Sequence, residues 1–75
     1  MKNYIVLPLI AVTQKMIDEC LETSFETLKI SKNNNTVLKW NGTIPKSLTG
    51  VSGKFLDYEQ IKEEFKKDEW QGGEI

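Results

Sequence analysis

Lys29, Lys32, Lys39, Lys46 and Lys54 occupy the middle of the chain with no carboxylate among them, and Trp40 stands next to Lys39. Lysines along a hairpin with an indole beside them suit capture of an anion such as a nucleotide, the ring stacking on a base while ammonium groups meet phosphate. The same residues also suit a plainer purpose. Lysines blunt exposed strand edges, and a tryptophan among apolar neighbours belongs in a core. Every cation in the chain is a lysine, which removes the planar, bidentate guanidinium that reads guanine or clamps phosphate. Acids flank the basic middle: Asp18, Glu19, Glu22 and Glu26 before it, and Asp57, Glu59, Glu63, Glu64, Asp68, Glu69 and Glu74 after it. On so small a domain these flanks repel phosphates, which argues against duplex nucleic acid as a partner.

Catalytic constellations are missing. The chain has no histidine, so Cys–His and Ser–His nucleophiles and the commonest zinc ligand drop out together. Its single cysteine, Cys20, cannot close an internal disulfide and falls on the apolar side of a helical pattern, where a thiol acts as a small hydrophobe. The acids at positions 18, 19 and 22, and at 59, 63 and 64, read as solvated helix faces, whereas general acid–base catalysis needs buried, convergent groups. The segment TGVSGKF has glycines and a lysine without phosphate-loop spacing. No metal or cofactor is expected, and the reading is of a chain that is not an enzyme.

The elements that must position these residues follow from periodicity. Seventy-five residues, 39% of them apolar, make one small domain whose core supplies on the order of 3–5 kcal/mol of net stability. No run approaches the roughly 20 apolar residues of a membrane span. The stretch Tyr4–Val12 lacks a small-residue cleavage site and reads as core strand, not signal peptide. Two glycosylation sequons, at Asn34 and Asn41, have a bearing only on a secreted chain.

Tyr4–Ile10 is the first strand, an edge or a bulge because Pro8 cannot donate to a ladder. Thr13 caps a helix ending near Thr23, with Met16, Ile17, Cys20 and Leu21 as its apolar stripe. Thr27–Ser31 and Thr36–Asn41 form a hairpin turned at Lys32–Asn35, with Leu38 and Trp40 on one face and Val37 and Lys39 on the other. A short strand falls at Val51 or Lys54–Leu56. Asp57 then caps the last helix in a capping box with Gln60, and Tyr58, Ile61 and Phe65 form its buried stripe.

The expected fold is α+β: an antiparallel sheet in the order strand, helix, hairpin, short strand, helix, with both helices on one face. Residues 1–70 form the domain and 71–75 a flexible tail. The expected core holds Ile5, Leu7, Met16, Ile17, Leu21, Leu38, Trp40, Ile61 and Phe65. With the Pro8 strand and a hairpin edge open, a homodimer is expected.

The pattern V-T-Q-x-M-I-D-x-C, T-S-x-x-T-L, V-L-K-W-x-G-x-x-P and a closing E-W is carried here by Val12, Thr13, Gln14, Met16, Ile17, Asp18, Cys20, Thr23, Ser24, Thr27, Leu28, Val37–Trp40, Gly42, Pro45, Glu69 and Trp70. It resembles small early accessory proteins of tailed bacteriophages over most of the chain. The departures are Ile30 and a bare Asn turn, where that pattern has a basic residue and an Asp-Gly type of turn. The resemblance implies a bacterial cytoplasm and a role in host takeover or counter-defence, and supplies no active-site residues. The expected function is a non-enzymatic accessory protein that binds and modulates a host protein. The alternative is a sponge for a small anionic ligand. Lys32, Lys39, Trp40, Lys46 and Trp70 are the candidate contact residues for either.

Overall fold

The run Tyr-Ile-Val-Leu shows no polar alternation, and the computed structural model, which describes residues 2–20 and 28–72, gives the reason. Strand β1, Tyr4–Pro8, is an inner strand of a five-stranded sheet, and both of its faces are covered. A strand buried on both sides has no face that needs to be polar. In chain order the other elements are helix α1 (Gln14–Glu19), strands β2 (Lys29–Ser31), β3 (Asn35–Lys39) and β4 (Lys54–Leu56), helix α2 (Tyr58–Lys67) and strand β5 (Trp70–Gly72). The sheet runs β4-β1-β3-β2-β5, with every pairing antiparallel. The α+β class is as the sequence leads one to expect.

The two helices lie on opposite faces, which corrects the one-face expectation. Ile5, Leu7, Leu38 and Trp40 point to one side and pack with Met16, Ile17 and Cys20 of α1 and with Leu48. Tyr4, Val6 and Val37 point to the other side and pack with Leu56 and with Ile61 of α2. Alternation along β1 sends successive residues to different cores, and its uniformly apolar sequence conceals that division. Of the expected core, Ile5, Leu7, Met16, Ile17, Leu38, Trp40 and Ile61 are buried, Phe65 is half-buried, and Leu21 lies outside the described residues.

Pro8 does not mark an edge. Leu9 donates its amide to the Asn34 carbonyl at 2.9 Å, so by ladder alternation residue 8 turns its nitrogen toward the β4 side. There β4 reaches no further along β1 than Val6. The missing N–H therefore breaks no bond. The chain leaves the strand at once, because Leu9–Ala11 form a 3-10 turn, and the first strand stops at Pro8, short of Ile10.

Thr13 caps α1 by accepting from the Met16 amide, as its residue type suggests. The helix ends at Glu19, where Cys20 takes an extended conformation, and Thr23, the expected end, lies outside the described residues. The expected strand start at Thr27 falls outside the described residues.

The asparagine run does make the hairpin turn. Asn34 holds the left-handed conformation, with φ 61°, which asparagine tolerates better than other side chains. The Ser31 hydroxyl accepts from the amides of Asn33 and Asn35, closing the turn from within.

Helix α2 carries the expected capping box, with Asp57 and Gln60 each accepting from the other's amide. It leaves edge strand β4, crosses the sheet and delivers the chain to the opposite edge strand, β5. Tyr58 does not join the buried stripe, since it stands 58% exposed in the first turn, just past β4, the edge strand among the described residues. Residues 71 and 72 belong to β5 and pair with β2, so the tail expected from residue 71 instead starts as sheet.

Candidate functional site

The five proposed contact residues do not converge. Lys32 is exposed in the hairpin turn, whereas Lys39 closes β3 at the far end, separated by about 13 Å of strand. Lys39 lies on the α2 face, its ammonium 5.8 Å from the Tyr4 ring. Lys46 is exposed in the 3-10 turn Lys46–Leu48, which packs on the α1 side and is tied there by the Ser47 amide donating to Glu19 Oε1 at 3.2 Å. The other two basic residues of the middle are engaged elsewhere. Lys29 sits 5.3 Å above the Phe65 ring and Lys54 pairs with Glu64 at 3.2 Å. A cluster that is contiguous in sequence is thus spread over two faces and both ends of the sheet, because strand residues alternate and β3 carries its ends apart.

Neither tryptophan is a free contact. Trp40 is 3% exposed and packs edge-on to Phe55, with ring centres 6.0 Å apart. It is core, which removes it as a stacking platform for a base. Trp70 is half-buried on the α2 face, edge-on to Phe65 at 5.3 Å, so it seals the second core from the rim. Its indole Nε1 is buried and finds no hydrogen-bond partner among the described residues.

A concavity of about 520 Å³ lies beside β2 and β5, lined by Leu28, Ile30, Lys32, Glu69 and Gln71 among others. Among the described residues it offers one cation and one anion, with no paired carboxylates for acid–base work and no cationic cluster for phosphate. No group of three or more histidines, cysteines or acids among the described residues is arranged to hold a metal ion.

Cys20 behaves as the helical pattern suggests. It is 8% exposed, and burial, with the Glu19 charge adding to it, pushes its thiol pKa from 9.0 up to about 11. A thiol raised in the folded state stays protonated while the unfolded chain has begun to ionise. Stability from this site is therefore full below pH 9 and is lost as pH rises from 9 through 11. We expect the denaturation midpoint of Cys20→Ala to fall less steeply than that of the parent across this window. Parallel profiles would mean that the thiol titrates alike in both states.

The feature that sequence reasoning missed is Ile10. Assigned to the first strand, it is instead 97% exposed at the crest of the 3-10 turn. Its neighbours hold it rigidly: Leu9 bonds to the Asn34 carbonyl, the Val12 amide donates to the Leu9 carbonyl at 3.1 Å, and Leu9 and Val12 pack against the first core. Pro8 and Ala11 are also exposed, so Pro8, Ile10 and Ala11 form one apolar knuckle at the end of the sheet where the hairpin turns. The signal available in the sequence was Pro8 itself, since a proline at the end of a strand forecasts departure from the ladder.

Among the described residues no helix is long and apolar enough to cross a membrane. Comparison of the chain with family models, curated proteins and solved structures gives no match.

Proposed function

We propose that the chain is a non-catalytic protein-binding domain that presents the Pro8–Ala11 knuckle to a host protein and so modulates it, in the bacterial cytoplasm that its phage-like sequence pattern implies. The supporting observation is the full exposure of Ile10 on a turn fixed from both sides. A domain with little core to spare leaves a large aliphatic side chain in water, and burying it on a partner returns about 1.5–3 kcal/mol. A turn already held in its final shape loses little conformational freedom on docking. Residues 3–14 carry no charge, and the exposed Lys32, Asn33 and Asn34 of the hairpin turn lie at the same end of the sheet. That matches an interface with an apolar centre and a polar rim. The anion-sponge alternative would need the lysines to meet, and they are dispersed.

The test is affinity capture from bacterial lysate with three chains: the parent, Ile10→Asp, and the triple variant Lys32→Gln, Lys39→Gln, Lys46→Gln. We expect the parent and the triple variant to retain one stoichiometric partner. Ile10→Asp should weaken its binding about thirtyfold, equivalent to roughly 2 kcal/mol, at an unchanged melting temperature. Undiminished capture by Ile10→Asp, or no stoichiometric partner in repeated trials, would sink the proposal.

A further inference from the structure

We propose that the outer edge of β2 is a binding site for an extended aromatic-x-Gly segment, filled within the chain by Trp70-Gln71-Gly72, and that it accepts the same segment from a second copy of this protein. The pairing to be exchanged is short. Ser31, Ile30 and Lys29 stand opposite Trp70, Gln71 and Gly72, and the Lys32 amide extends the ladder by donating to the Glu69 carbonyl at 2.8 Å.

The site selects its occupant at two of three positions. At the first, an aromatic ring meets the edge of Phe65, whose ring is also engaged by the Lys29 ammonium. At the third, Gly72 has φ 109°, and a Cβ there would collide with the Leu28 carbonyl oxygen, so no residue with a side chain fits without displacing backbone. The middle residue, Gln71, is exposed, so the site makes little demand of it. Trp70-Gln71-Gly72 of another copy meets these demands by construction.

The connection to β5 favours exchange. Asp68, which ends α2, is already extended at φ −137° and ψ 161°, and with Glu69 it is all that joins helix to strand. Short connections of this kind invite swapping, since swapping reproduces every contact of the closed form and alters only the hinge. Meanwhile the closed form leaves the Trp70 indole N–H buried and unpaired among the described residues, which weakens the hold on β5. The balance is then set by chain concentration against the effective concentration of the tethered strand. The resulting dimer is isologous, each copy lending β5 to the other's β2. Of the edges offered by the sequence it does not use the Pro8 strand, since β1 is flanked by β3 and β4; it uses the outer edge of the hairpin strand β2, which the chain's own β5 covers in the closed form.

The experiment uses the whole chain in a Cys20→Ala background. Positions 30 and 71 face each other across the β2–β5 pair, at a separation that a disulfide spans. Ile30→Cys and Gln71→Cys are placed either together in one chain or separately in two chains mixed and refolded at several hundred micromolar. We expect the double variant to close internally when dilute, and the mixed single variants to give a disulfide-linked heterodimer. Adding Gly72→Ala to the Gln71→Cys chain should lower that yield at least tenfold. If the double variant fails to close, the register underlying the proposal is wrong. If it closes but the mixture yields no more heterodimer than Gln71→Cys mixed with Lys54→Cys, from the opposite sheet edge, exchange does not occur. Equal yields with and without the Gly72→Ala substitution would remove the selectivity claimed for the site.

Discussion

Leu38→Ala is expected to lower the melting temperature by at least about 10 °C, the largest loss from any single truncation in this chain. Leu38 is fully buried in β3, opposite Ile5, within the core closed by α1. Truncating a buried leucine costs roughly 2–5 kcal/mol, since the removed methyl groups leave a cavity that close-packed neighbours fill only in part. A domain of this size has on the order of 3–5 kcal/mol in total, and each kcal/mol moves the midpoint about 4–8 °C. The variant should therefore be partly unfolded near room temperature, which circular dichroism would register. Phe65→Ala is the useful comparison. Phe65 lies half-buried at the rim of the other core, so its loss should cost nearer 2 kcal/mol, about the low end for buried truncations. A Leu38→Ala chain melting within two degrees of the parent would place the centre of the core elsewhere.

Gly72→Ala should detach β5 from the sheet while leaving the central strands intact. Two effects add at this position: a backbone conformation that disfavours side chains by about 1–2 kcal/mol, and a Cβ driven against the Leu28 carbonyl. Nothing nearby can yield cheaply, because the obstacle is backbone. With the strand displaced, Trp70 leaves Phe65 and its ring enters water. Tryptophan emission should shift to the red by the Trp70 share alone, since Trp40 is sealed in the other core, and amide protection should fall across Lys29–Ser31. Total destabilisation of about 2–3 kcal/mol is expected from the strain together with the lost packing. Gly42→Ala is the control. Gly42 has φ 72° with open space around it, so only the backbone penalty of about 1 kcal/mol applies. Unchanged emission from Gly72→Ala would mean that the residue is not needed where it stands.

Local chemistry was readable in the sequence and spatial assignment was not. The caps at Thr13 and Asp57, the asparagine turn and the opposite facing of Trp40 and Lys39 each depend on residues a few positions apart, and each is present. The placement of the helices depends instead on which face each takes. A strand of uninterrupted Tyr-Ile-Val-Leu carries no mark of that choice. Strand β5 escaped notice because Trp-Gln-Gly has neither alternation nor length, and its pairing is dictated by where α2 ends. The lysine cluster misled for a related reason. Proximity along the chain means little once a strand carries its ends apart and its neighbours to opposite faces. Ile10 was hidden by its surroundings, since the apolar run Tyr4–Val12 reads as continuous strand unless Pro8 is given the power to end it.

The strand order has a consequence for how this chain is made. Strand β1 leaves the ribosome before every other strand of the sheet, yet its neighbours are β3 and β4, which emerge much later. Tyr4 waits for Lys39 on one side and for Leu56 on the other. At about 5–20 residues per second, the most apolar segment of the protein spends several seconds of synthesis without its partners, and the sheet is complete only once Gly72 is free. Nascent chains should therefore be recognised by holding chaperones through Tyr4–Pro8, and premature termination before β3 leaves an unpaired apolar strand for proteases to clear, while termination between β3 and Leu56 leaves it paired on one side only. Folding is in effect postponed until translation of the domain is finished, and the last turn of helix α2 delivers the strand that closes it.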